Sequence, residues 1–158
     1  MKTYEILNKM FLVIDKKCYN PALQYILVED SRKFTATNGH IMLHWEEKEE
    51  DVTFKFPEPR AYVKMTHKID DDREIVYETN IDYIYPDYKR ILDNIPETDA
   101  EQYCMFDPKY IDILNKFIDD KWAYCQKPKM RDSQSAAKWE IGNKICVIMP
   151  VKVKGEIK

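Results

Sequence analysis

Apolar residues recur at helical spacing in two places along the chain and at strand spacing through most of the remainder. Leu7, Met10, Phe11 and Ile14 fall on one stripe with Lys9 and Lys16 off it, which predicts an amphipathic helix over residues 3–14. The run Phe11-Leu12-Val13-Ile14 also fits a strand. A second stripe, Tyr110, Ile111, Leu114, Phe117 and Ile118, follows Asp107-Pro108, an N-cap oxygen and a first-position proline, and predicts a second helix. Between the helices, Cys18-Tyr19-Asn20-Pro21 reads as a turn and residues 22–29 as a buried strand. Residues 33–37 and 40–45 read as strands joined by Asn38-Gly39, a pair that tolerates positive φ and suits a tight hairpin. Residues 52–56 read as a short strand ended by Pro57 and Pro59, and 60–69 fits neither period cleanly. Residues 74–84 alternate as one or two strands, Pro86 interrupts them, and 88–92 suit a helical turn. Strands are also predicted at 103–106, 122–126, 136–141 and 145–153, the last two joined by Gly142-Asn143.

Composition places these elements in one folded unit. A chain of 158 residues, 44% hydrophobic and 13% aromatic, suffices for a core and predicts a single domain over residues 1–158. With 3 Gly against 8 Pro and no biased tract, no linker or short repeat is visible. No signal-peptide core or run of membrane-spanning length is present, so a soluble cytoplasmic protein without a membrane partner is expected. The acidic run 46–51 reads as a solvated loop. A balance of 25 Lys+Arg against 28 Asp+Glu, net −3, argues against coating nucleic acid by bulk charge but leaves room for a basic inner face.

Candidate chemistry is sparse. Cys18, Cys104, Cys125 and Cys146 show no C-x-x-C spacing and read as small buried hydrophobes in a reducing compartment. His40, His44 and His67 make no H-E-x-x-H pair, and 3 single glycines cannot build a phosphate cradle. Asp70-Asp71-Asp72 lacks the alternate spacing and glycine of a calcium loop. No enzymatic activity, catalytic residue, metal or cofactor is expected.

Three segments point elsewhere. Thr37-Asn38-Gly39-His40, Tyr85-Pro86-Asp87-Tyr88-Lys89-Arg90-Ile91 and Val147-Ile148-Met149-Pro150-Val151-Lys152-Val153 resemble, in this order, the signature pieces of the bacterial DNA sliding clamp, the beta subunit of DNA polymerase III. Taken singly, the first is a hairpin turn and the last a core strand; their co-occurrence with Pro86-Asp87-Tyr88 carries the resemblance. Phe106-Asp107-Pro108-Lys109-Tyr110 is similar to the family's entry into its second helix, and Ser133-Gln134-Ser135-Ala136-Ala137 to the approach to its final strand. Asn38 stands where the family usually has Asp, Ile41 where Arg is common, and Val151 and Val153 replace a Met and a Leu. The resemblance implies an α+β fold, a DNA-clamp (processivity-fold) domain with two helices packed on antiparallel sheets and an internal pseudo-twofold. Family subunits carry three such domains and dimerise, whereas this chain has room for one. A ring would then need roughly six copies, so the resemblance implies a homo-oligomer.

The resemblance also implies sites. Thr37, Gly39, His40, Pro86, Ile91, Val147, Met149, Pro150 and Val151 would line an apolar groove that takes short peptides from a DNA polymerase or clamp loader, with adaptable Met side chains suited to varied clients. Lys9, Lys16, Lys17 and Tyr19 near the first helix, and Lys109, Lys116 and Lys121 along the second, would touch phosphates of double-stranded DNA without reading bases. Glu5, Asp112, Asp119 and Asp120 lie among them, so a solvated mixed-charge surface is the competing reading. Two functions follow: a ring-forming processivity factor, or a clamp-fold module that binds polymerase or loader peptides without closing a ring.

Overall fold

The computed structural model describes residues 2–14, 20–48, 52, 55–67, 73–99 and 104–151. Helix α1 (Lys2–Met10) carries the first apolar stripe and tightens into a 3-10 turn at Phe11–Val13, so Ile6, Leu7, Met10 and Val13 are all buried. Strands β1 (Ile26–Glu29), β2 (Lys33–Thr37), β3 (Ile41–Glu46), β4 (Arg60–His67) and β5 (Arg73–Glu78) follow. Helix α2 (Tyr88–Asp93) and helix α3 (Pro108–Ile118) precede β6 (Ala137–Ile141) and β7 (Lys144–Ile148). All seven strands form one antiparallel sheet in the order β5-β4-β1-β2-β3-β7-β6. The expected α+β class, two helices on antiparallel strands, is present, with five strands after α1 and two after α3. Among the described residues no helix is long and apolar enough to cross a membrane.

Strand alternation divides the side chains between two faces. Ile26, Val28, Phe34, Ala36, Ile41, Leu43, Trp45, Trp139, Cys146 and Ile148 meet α1 and α3 in the main core, where Phe34 stacks on Trp45 at 4.8 Å. On the opposite face Leu27, Met42, Tyr62 and Val147 pack with Tyr85, Tyr88 and Ile95. Strand β3 therefore has five consecutive buried residues and shows no alternation in its sequence.

Helix α3 begins as predicted: Asp107 Oδ1 accepts from Lys109 N at 2.9 Å and Pro108 occupies the first turn. Its end is set by Asp119 in the left-handed conformation at φ 63° and by Lys144 Nζ, which donates to the carbonyl of Phe117 at 2.9 Å.

Several predicted strands take another form. Residues 21–24 make a 3-10 turn because Pro21 follows Asn20, whose side chain accepts from Ala22 N at 3.1 Å, and only Ile26–Glu29 remain as strand. Residues 123–125 are likewise a 3-10 turn, since Asp120 Oδ1 accepts from Trp122 N at 2.9 Å and holds the chain curled. Residues 52, 55 and 56, and 104–106, lie outside the strands. The ambiguous stretch after Pro59 is β4, and β7 stops at Ile148, ahead of Pro150. The run Asp70-Asp71-Asp72 falls outside the described residues.

If the helix layer holds the fold together, Leu114→Ala, at 0% exposure between α3 and the sheet, will lower unfolding free energy by about 2–5 kcal/mol in urea denaturation. Leu12→Ala, at 48% exposure, will change it by about 0.5 kcal/mol or less.

Candidate functional site

The turn between β2 and β3 is held by its own side chains. Thr37 Oγ1 donates to the carbonyl of Ile41 at 2.9 Å and accepts from Gly39 N at 3.1 Å. Asn38 Oδ1 accepts from His40 N and Ile41 N at 2.9 and 3.0 Å, a task an amide oxygen performs as well as a carboxylate. Gly39 has φ +92°, which strains any residue with a Cβ. The connection is thus Asn38-Gly39-His40 rather than Asn38-Gly39 alone, and β3 starts at Ile41. Asn38 Nδ2 also donates to the Tyr110 hydroxyl at 3.3 Å, and the His40 ring lies parallel to Tyr110 at 6.5 Å, tying the turn to α3.

Strand register sets the next layer. Thr37 pairs with Met42 and Met42 with Val147, so the three form one row across β2, β3 and β7 on the face away from α1 and α3. At the end of that row Met149 N donates to the carbonyl of His40 at 2.9 Å, and Val151 N to that of Met105 at 2.7 Å.

Residues 81–95 cover this face. A helix of only six residues has no stability of its own, so α2 stays where its anchors hold it. Tyr85 places its hydroxyl 3.0 Å from the carbonyl of Thr35 and 3.2 Å from that of Tyr25. Tyr88 stacks on His44 at 4.6 Å and donates to Glu29 Oε1 at 2.6 Å. Arg60, opposite Glu29 in the β1–β4 register, donates to the other carboxylate oxygen at 3.3 Å. Burial pushes both tyrosine hydroxyls well above their ordinary value, and at Tyr88 the hydrogen bond to Glu29 adds to the rise. Burial alone would raise Glu29, but hydrogen bonds from Tyr88 and Arg60 outweigh it and hold the carboxyl below its usual range. Burial lowers His44, so its ring is neutral at pH 7, with Nδ1 at 2.8 Å from Thr35 Oγ1 and Nε2 at 3.3 Å from Glu46.

Of the nine groove candidates, Thr37 and Val147 are buried, Pro86, Ile91 and Pro150 half-buried, and Gly39, His40, Met149 and Val151 exposed. Ile91 and Val147 share one apolar cluster, and Thr37 lies in the same cross-strand row as Val147, on the far side of Met42. Pro86 lies between the two anchoring tyrosines. Exposed Met105 and Met149 extend the apolar surface beside Val151. Sequence reasoning missed Met42, Met105, Glu29 and Arg60. The Tyr85-to-Tyr88 spacing around Pro86 was the one available signal.

The DNA candidates are less gathered. Lys116 pairs with Asp112 on its own helix at 2.9 Å, and Lys9 lies 3.9 Å from Asp119. Lys109 is exposed at the start of α3, whereas Lys121 sits beyond its end instead of along it. Lys16, Lys17 and Tyr19 fall outside the described residues, as does Cys18. Cys146 is buried, which raises its thiol well above its ordinary value, but Cys104 is half-buried and Cys125 is exposed, so these two depart from the expected burial. Among the described residues no group of three or more His, Cys, Asp or Glu is placed to hold a metal ion.

Because the fold favours the neutral form of Tyr85 and Tyr88, their contribution is intact below the ordinary tyrosine pKa and is lost as pH rises past it. Thermal melts will therefore show stability falling above about pH 10. Tyr88→Phe, which removes one hydrogen bond to a carboxylate, will cost roughly 1.5–3 kcal/mol at pH 7 and flatten that alkaline loss.

No protein-family model matches the sequence, and comparison with curated proteins gave no match. Solved structures do match in fold. A structure from Eubacterium rectale assigned as a DNA polymerase III beta subunit superposes with a TM-score of 0.63 at 11% identity, covering 96% of this chain and 64% of that one. The DNA polymerase sliding clamp of Bacillus subtilis gives a TM-score of 0.51 at 11% identity, covering 96% and 63%. This chain thus spans just under two thirds of either structure. Nearly its whole length is matched, helices and sheet together, and the likeness is one of architecture: the chain has the α+β fold of the bacterial DNA sliding clamp, the DNA polymerase III beta subunit.

Proposed function

We propose that the chain is a DNA sliding clamp, a non-catalytic processivity factor that tethers a polymerase to duplex DNA through an apolar peptide groove. The observation that supports this reading is that the Thr37–His40 turn and the end of β7 are joined by register and by the His40–Met149 backbone bond, while the Tyr85–Ile91 cover packs with Met42 and Val147 on the same face of the sheet. A polymerase or loader peptide would lay apolar side chains against Met149, Val151 and Ile91, beside Pro86 and Pro150, over a floor of Thr37 and Val147. Gly39 and His40 would form the near rim. A few such anchors supply most of the affinity in interfaces of this size.

The duplex would pass along the outer face of α1 and α3, where Lys9, Lys109 and Lys116 would contact phosphate without base readout, helped by Lys121 beyond α3 and by the candidates Lys16, Lys17 and Tyr19 that the sequence supplies. Strands β5 and β6 form the two ends of the sheet, so head-to-tail pairing of copies would close a ring. A ring of this kind holds DNA by topology and works in the cytoplasm, where replication proteins meet their template.

A second reading has its own support. Lys116 and Lys9 face Asp112 and Asp119, which leaves the outer helix face close to neutral, and Lys129 already exchanges both backbone bonds with Lys138 on the outer edge of β6. These features favour a clamp-fold module that binds polymerase or loader peptides without encircling DNA.

In a titration with a polymerase-derived clamp-binding peptide, the Met149→Ala, Pro150→Ala double variant will lose binding while its melting curve stays close to that of the parent. Unchanged affinity removes the groove from the account. Charge reversal of Lys16, Lys17, Lys109 and Lys116 will weaken DNA association, reduce its salt slope and leave the peptide unaffected. An unaltered slope favours the peptide-binding module.

A further inference from the structure

The loop after α3 carries two large aromatic rings in water that neither the core nor the proposed groove uses. The left-handed Asp119 and the Asp120–Trp122 hydrogen bond turn the chain sharply away from the helix. Trp122 is 57% exposed and Tyr124 43%, while Trp45 and Trp139 are 2% and 3% exposed. The rings of Trp122 and Tyr124 lie 6.2 Å apart at a tilt of 36°, neighbouring flat surfaces open to solvent.

Their setting is basic. Residues 121–131 read Lys-Trp-Ala-Tyr-Cys-Gln-Lys-Pro-Lys-Met-Arg, with four cations and no acid in a chain of net charge −3. Lys129 is held by Asp99, and Arg131 donates to the carbonyl of Asn94. Lys121 Nζ stands 5.6 Å over the Trp122 ring, and Lys127, three residues after Tyr124, borders a pocket with Glu97 and Glu140 and helps Lys129 hold the Asp99 carboxyl below its usual range; among the described residues neither Lys121 nor Lys127 is in an ion pair. Of the acids just ahead of the loop, Asp119 faces Lys9 and Asp120 caps the turn.

We propose that Trp122 and Tyr124, flanked by Lys121 and Lys127, form a binding site for single-stranded nucleic acid. Each base offers a flat π surface to a ring and each phosphate a charge to a lysine, so recognition needs no base-edge contact and tolerates any sequence. An acidic peptide would meet the lysines but leave the rings without flat partners. The site lies beyond the end of α3 and does not depend on ring closure or on the peptide groove.

Trp122 is its own reporter, because the other two tryptophans are buried. Titration of the full chain with an oligo-dT strand at low salt, read by tryptophan emission and by anisotropy of labelled strand, will give saturable quenching. The Trp122→Ala, Tyr124→Ala double variant will bind about tenfold more weakly or worse, with an unchanged melting temperature because both rings are exposed. Lys121→Glu with Lys127→Glu will reduce the salt slope by about 1.4. The Met149→Ala, Pro150→Ala variant will bind the strand like the parent, which separates this site from the groove. Absence of quenching, parent-like affinity in the aromatic double variant, or equal quenching by a polyglutamate peptide would overturn the proposal.

Discussion

The antiparallel pairing of β3 with β7, from Ile41 opposite Ile148 to Trp45 opposite Lys144, is the contact on which the rest of this structure depends. It bridges about a hundred residues and makes one sheet of an early five-strand part and a late two-strand part. Without it α1 and α3 would have no common floor, and the end of β7 would not lie beside the β2–β3 turn. Such a contact carries a loop-closure penalty that local pairing avoids. Burial on both faces offsets it: Leu43 and Cys146 lie under the helices, while Met42 and Val147 lie under the cover of residues 81–95.

That cover links architecture to the proposed function. Segment 81–95 is attached by two tyrosines whose hydroxyls reach different parts of the sheet, Tyr85 the carbonyls of Thr35 in β2 and of Tyr25 just ahead of β1, Tyr88 the carboxylate of Glu29. Pro86 and Ile91 take their positions from these anchors. The surface proposed to accept a peptide is thus built from a rigid sheet row on one side and a docked strip on the other. The polar chain that runs from buried Thr35 and His44 to exposed Glu46 fixes the ring against which that strip rests.

Parts of this were legible in the sequence for physical reasons. Asp107-Pro108 announces α3 because capping and fixed φ are local properties, and Asn38-Gly39 announces its hairpin likewise. The segment around Trp122 misled, since its apolar alternation suits a strand while Asp119 and Asp120 impose a turn. Strand β3 hid its face assignment by being buried on both sides. The turn and final strand of the proposed groove were visible as motifs, but the Glu29–Tyr88 bond spans 59 positions and only the folded register reveals it. The lysines proposed for DNA could be picked out by charge, yet their pairing with Asp112 and Asp119 depends on helix geometry and packing.

The central claim is that copies of this chain close around DNA, and the mass of the particle in solution tests it most directly. Light scattering after size exclusion, over a wide concentration range with and without nicked circular DNA, is predicted to show a discrete closed assembly, on the order of six chains if each supplies one domain. A monomer or dimer whose mass is independent of concentration and of circular DNA would contradict the ring.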